Sequence, residues 1–150
     1  MTEGANTGQR ERQIWMSVIA KANPARLEEL MPDLPPLTCL RPPEVGAVMV
    51  QGRIGATGAP FNLGEMTVTR CSVRLSDGTV GHGYAQGRDK PHALRAAVLD
   101  ALMQTDQAAQ VRTRILDVLT AKAELARALR AEKAAATKVD FFTMVRGEDA

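Results

Sequence analysis

The sequence predicts an α+β domain: an antiparallel sheet of about four strands, helices packed on one face, and a helical C-terminal part ending in an apolar docking tail. Three observations carry this expectation. Val73 to Gln86 reads as a strand, an Asp77-Gly78 turn and a second strand, and Asp-Gly is a strong hairpin signal because glycine accepts positive φ without steric cost. Segments on either side of the predicted sheet carry apolar residues at helical spacing. From Gln107 onward an alanine-rich run contains neither glycine nor proline until Gly147. Residues 1–9 are expected to be disordered, 10–106 to form the α+β core, and 107–150 to form the helical region and tail of the same domain.

Composition bounds the class. The 150 residues suffice to bury a core without covalent staples. Apolar content of 45% and charged content of 24% are ordinary for a soluble globular chain, whereas 3% aromatic content implies a thin core and closely packed helices. A net charge of +2 is too mild for a nucleic-acid surface, and aromatic stacking platforms are missing. The two cysteines, Cys39 and Cys71, have no metal-finger or disulfide-framework spacing and read as reduced thiols. With no apolar leader and no membrane-length apolar run, the expected location is cytoplasmic.

In chain order, Ile14, Trp15, Val18, Ile19 and Ala22 form one stripe of a first helix starting near Arg10. Asn23-Pro24 restarts the chain as N-cap and first helical residue, with Leu27, Leu30 and Met31 on the buried side. Pro32, Pro35 and Pro36 make a rigid crossing, and Pro42 and Pro43 confine Thr38 to Arg41 to an edge strand at most. Val45 to Ile54 is a strand whose better core face is Gly46, Val48, Val50, Gly52 and Ile54.

Glu65 to Leu75 changes apolar phase between Val68 and Cys71, which predicts a β-bulge near Thr69-Arg70. A two-residue hairpin loop would set Leu75 opposite Val80, Val73 opposite His82 and Cys71 opposite Tyr84, all on one apolar face. Leu94, Ala97, Val98, Ala101 and Leu102 form the stripe of the next helix. Its cap is Lys90 by position or Asp89 by chemistry. Beyond it, Val111, Ile115, Val118, Lys122, Leu125, Leu129, Glu132 and Ala136 alternate by four and three as a heptad seam. One helix from Ala109 to Ala136 would run roughly 42 Å at 1.5 Å per residue, more than the roughly 38 Å width of such a domain. It must therefore break, near Thr120, or overhang, and an overhanging seam needs a partner.

Candidate chemistry is sparse. The corner Gly87-Arg88-Asp89-Lys90-Pro91-His92 opens a helix, where free backbone N–H groups favour anions and Arg88, Lys90 and His92 would add charge. Arg53, Arg70 and Arg74 would join if they point the same way. The plain alternative is a solvated, capped turn. The Gly52 to Gly58 loop lacks the spacing of a phosphate-cradling motif and reads as a hairpin loop. His82, among apolar neighbours, reads as a buried hydrogen-bonded histidine, and its closeness to Cys71 lacks the third group that a nucleophile needs. No metal-ligand set and no catalytic carboxylate pair stand out. The terminal Phe141, Phe142, Met144, Val145 and Arg146 form an apolar tail that must dock on its own domain or on another chain.

Several strings resemble the PhnG family, a small subunit of the bacterial carbon–phosphorus lyase system. They are Arg12-Gln13-Ile14-Trp15-Met16-Ser17, Gln51-Gly52-Arg53-Ile54-Gly55 with Thr57-Gly58, Thr69-Arg70, and Val73 to Gly81. Gln86 to Lys90 with His92, Asp100-Ala101-Leu102-Met103, and Val139 to Gly147 complete the set. The resemblance implies assembly with PhnH, PhnI and PhnJ into a core complex for phosphonate breakdown. That complex forms α-D-ribose 1-methylphosphonate 5-triphosphate from ATP and methylphosphonate and releases adenine. Displacement at the ribose is ascribed to the PhnI partner and the later radical cleavage to the iron–sulfur PhnJ partner. No cofactor of this chain's own is implied, ATP being a substrate of the assembly, and no catalytic residue carries over. Two roles follow: an interaction subunit, or one that lends anion-binding residues to a shared pocket.

Overall fold

The computed structural model describes residues 3–139. Helix α1 (Glu3–Ala20) and the short α2 (Pro24–Leu30) precede three strands, β1 (Leu37–Arg53), β2 (Pro60–Leu75) and β3 (Val80–Gln86). Helix α3 (Lys90–Leu102) follows, then a helical rod of α4 (Ala108–Val111), a π-turn (Arg112–Leu116) and α5 (Asp117–Ala136). The fold is α+β, with an antiparallel sheet of order β1-β2-β3. Thr38 to Arg41 belongs to the long β1 instead of forming a fourth strand. Pro42 and Pro43 are tolerated because β1 is an edge strand and its register shifts between Arg41 and Glu44. Helix α1 opens before the Arg10 start that the stripe suggested, and Ile14 is 64% exposed, off the buried face.

Helix α3 is the centre of the molecule. Asp89 is its N-cap, the carboxylate accepting the His92 N–H at 2.8 Å, so chemistry and not position chose the cap. Val98, Leu99, Ala97 and Ala101 are fully buried, packed with Ile19, Leu27, Val73 and Leu116. The helix lies unusually close to the sheet. A side chain on Gly83 would stand 2.0 Å from the Ala93 carbonyl oxygen, and one on Gly81 2.0 Å from that of Ala97. The two glycines are the groove into which α3 settles.

The hairpin corrects the expected register. Gly78 takes φ +88° as the last residue of a three-residue loop, with the Leu75 N–H donating to the Thr79 carbonyl at 2.9 Å. That geometry is a turn followed by a glycine bulge, and it shifts pairing by one residue relative to a two-residue loop. Val73 therefore faces Gly81, Ser72 faces His82 and Arg70 faces Tyr84. Cys71, Val73 and Leu75 keep the inner face, while His82 and Tyr84 move to the outer face, beside Arg70 and Arg74. The extra residue expected in β2 near Thr69-Arg70 lies instead on the facing strand: β1 shifts register between Arg41 and Glu44, opposite Ser72 and Arg70, with further irregularities between Cys39 and Arg41 and between Val50 and Gln51, while β2 pairs regularly with β3. The change of apolar phase has another cause: adjacent Val68 and Thr69 are both buried, on opposite faces, so β2 is covered on both sides at that level.

Two arms leave the core. The far halves of β1 and β2 form a two-stranded ribbon in which residues 60–65 are all exposed, Leu63 among them. The helical rod does not break at Thr120. Val111, Ile115 and Leu119 are buried, but every residue from Ala121 to Val139 is exposed, with Leu125 at 62% and Leu129 at 50%. The rod overhangs by about 24 Å at 1.5 Å per residue.

Candidate functional site

The sequence-predicted anion residues do not gather at one place. Arg88 and Lys90 are exposed at the start of α3, and among the described residues neither forms an ion pair. His92 points inward, 5% exposed, its Nε2 2.9 Å from the Ile19 carbonyl oxygen. A carbonyl only accepts, so Nε2 carries the proton and the ring is committed to joining α3 to α1. Arg53 sits at the ribbon tip, its Nη1 donating to the Gly58 carbonyl at 3.1 Å. Arg70 pairs with Glu44 in the register, about 30 Å from Arg53 along β1. The tail residues Phe141, Phe142, Met144, Val145 and Arg146 lie outside the described residues.

His82 is exposed and not buried as its apolar neighbours suggested, because the one-residue slip turned it outward. Its Nδ1 lies 2.9 Å from Ser72 Oγ. The slip also separates it from Cys71, which is 2% exposed on the inner face. Burial, with a smaller contribution from neighbouring Cys39, pushes the Cys71 thiol up to about 11. Such a thiol stays protonated near neutral pH and is no nucleophile.

Sequence reading missed Asp100. Its side chain is 1% exposed, yet its carboxylate accepts from Arg12 Nε at 3.1 Å, Arg12 Nη2 at 2.7 Å, Trp15 Nε1 at 3.0 Å and the His82 N–H at 2.8 Å. One carboxylate on α3 thus holds α1 and β3. The available signal was a lone acid inside the apolar run from Ala96 to Met103, with a basic and an indole donor three apart on α1.

Where α1 leans over the β3 side of the sheet, a cleft of about 550 Å³ remains. Arg41, Arg70, Ser72, His82 and Tyr84 line the sheet side, and Gln13, Met16 and Ser17 the helix side. Apolar surface dominates its floor, and the charged groups on its walls are cationic. This arrangement can hold an anion; it contains no acid–base pair or activated nucleophile. Among the described residues no cluster of histidine, cysteine and carboxylate could hold a metal, and no helix is long and apolar enough to cross a membrane.

A family model described as phosphonate metabolism protein PhnG matches residues 10–147. The chain is 44% identical over 147 residues to a Rhizobium meliloti (strain 1021) protein named alpha-D-ribose 1-methylphosphonate 5-triphosphate synthase subunit PhnG. That match covers 96% of this chain and 94% of the relative.

Proposed function

The chain belongs to the PhnG family of phosphonate metabolism proteins, and on that premise we propose that it is an interaction subunit of an α-D-ribose 1-methylphosphonate 5-triphosphate synthase. Its partners are PhnH, PhnI and PhnJ chains in a cytoplasmic core complex, and the partners carry out the displacement of adenine from ATP by methylphosphonate. The observation that carries this reading is the 44% identity, across nearly all of both chains, to a protein named as a subunit of that synthase.

The shape of the molecule supports it. Among the described residues nothing buries the helix face bearing Leu125 and Leu129, and its seam suits burial against another chain. Coexpression with the three partner chains tests the reading. The full chain is expected to copurify with them, and truncation after Lys138 is expected to abolish assembly. A full chain that stays monomeric beside all three partners, or a truncated chain that still assembles, would count against it.

A further inference from the structure

We propose that the cleft between α1 and the outer face of the sheet binds a small organic phosphate, an oxyanion carried on an apolar body. The inference deepens the function proposed above and rests on it for the choice of probe.

The outer wall is built by register. Arg70 stands opposite Tyr84, Ser72 opposite His82, and Arg41 opposite Ser72 on the other side. Two guanidinium groups, an imidazole and a hydroxyl therefore share one patch of sheet. The facing helix contributes Gln13, Met16 and Ser17 and no charge. The acid in register is Glu44, opposite Arg70, and it pairs with Arg41 at 4.0 Å, a loose and exposed pair that leaves the wall cationic.

Arg70 is the uncommitted group. Its Nη2 would lie 3.7 Å from a side chain at Gly46, so the guanidinium rests over bare backbone, and it has no hydrogen-bond or ion-pair partner among the described residues. A planar guanidinium with nothing to give up can turn onto a phosphate and bind it through two N–H groups. His82 is also poised: when Ser72 donates to Nδ1, the ring proton sits on Nε2 as a further donor.

Shape sets the rest of the class. A volume of about 550 Å³ falls within the range of small-molecule sites. Met16, Ala20 and the half-exposed Tyr84 ring give it an apolar lining. A bare inorganic anion would leave that lining wet, and an uncharged apolar ligand would leave the arginines unused. An organic phosphate satisfies both halves.

The test is titration of the isotopically labelled full chain with ATP, read by backbone amide shifts. Saturable shifts are expected at Ser72, His82 and Tyr84, with adenosine and inorganic phosphate each binding at least tenfold more weakly. Arg70→Gln is expected to weaken ATP binding at least tenfold and Tyr84→Ala to weaken it severalfold. Arg53→Gln, the same charge change at the ribbon tip, should alter it less than twofold. The side chains of Arg70 and Tyr84 are exposed enough for the fold to survive, and the amide spectrum of each variant reports that directly. Absence of saturable shifts, shifts centred on Arg88 and Lys90, phosphate binding as tightly as ATP, or parental affinity in Arg70→Gln would each overturn the proposal. Copurification with the partner chains scores assembly and not ATP, so failure of the subunit reading registers separately.

Discussion

The Arg12 guanidinium meets the Asp100 carboxylate side by side, Nε at 3.1 Å from one oxygen and Nη2 at 2.7 Å from the other. The acid is out of water and the base is one-third exposed. A buried carboxylate is costly unless its lone pairs are filled, and here the Trp15 indole and the His82 backbone N–H complete the set. The wall of the cleft and the helix above it are thus held by one group.

Removing either partner leaves the other without its counter-charge. Arg12→Ala and Asp100→Ala are each expected to destabilise the chain by about 3 kcal/mol, the range for breaking a buried pair. The double variant should lose clearly less than the sum, because the two losses share one interaction. Urea denaturation of the four proteins measures this, and additivity within about 0.5 kcal/mol would show that the pair is not coupled.

Gly81 and Gly83 admit no side chain, since a Cβ at either would stand 2.0 Å from a backbone carbonyl of α3. Gly83→Ala should cost at least about 3 kcal/mol or prevent folding, at or beyond the usual overpacking penalty, because the obstacle is backbone and cannot swing aside. Gly64→Ala, with nothing within 4 Å, is the matched control and should stay within about 0.5 kcal/mol of the parent. Equal melting curves for the two variants would refute the close approach.

The overhang separates stability from assembly. Leu125→Glu with Leu129→Glu alters residues 62% and 50% exposed, so the isolated chain should unfold within about 1 kcal/mol of the parent. The same pair should remove the chain from the copurified complex, because two carboxylates would be buried at the seam. Intact assembly would place the partner surface elsewhere.

Cys71 links stability to alkaline pH. Burial raises its folded-state value from 9.0 to about 11, so the native fold holds the thiol proton more tightly than the unfolded chain does. Its contribution is complete below about pH 9 and is lost as pH rises towards 11, on the order of 3 kcal/mol in all. Denaturation midpoints should fall over that window in the parent and fall less in Cys71→Ala. At pH 8, a thiol reagent should label exposed Cys39 and spare Cys71 until the chain unfolds.

Much of the architecture was legible in local chemistry. Asn23-Pro24 opens α2 as read, the Asn23 side chain accepting from the Arg26 N–H at 3.2 Å. The even-numbered face of β1 is the more buried, and the α3 stripe is core. Anion chemistry was harder to place. The helix-start corner drew attention to His92, which the fold spends on the Ile19 carbonyl, while Arg41, Ser72 and Tyr84 had no reason to be grouped before their strands were aligned.

Capping, turn and periodicity signals act over a few residues, so the helices and strands and their order could be read along the chain, as could the family likeness in its own strings. Which side of the sheet His82 and Tyr84 occupy, and what Asp100 holds, emerge only in the folded chain. A glycine bulge of one residue inverts the faces of a strand, and a buried carboxylate is explained by donors 18, 85 and 88 residues away in the chain. The Asp100 contacts form only when helices α1 and α3 close over β3, so no local pattern contains them, and the slipped register is the one that sets Gly81 and Gly83 beneath α3.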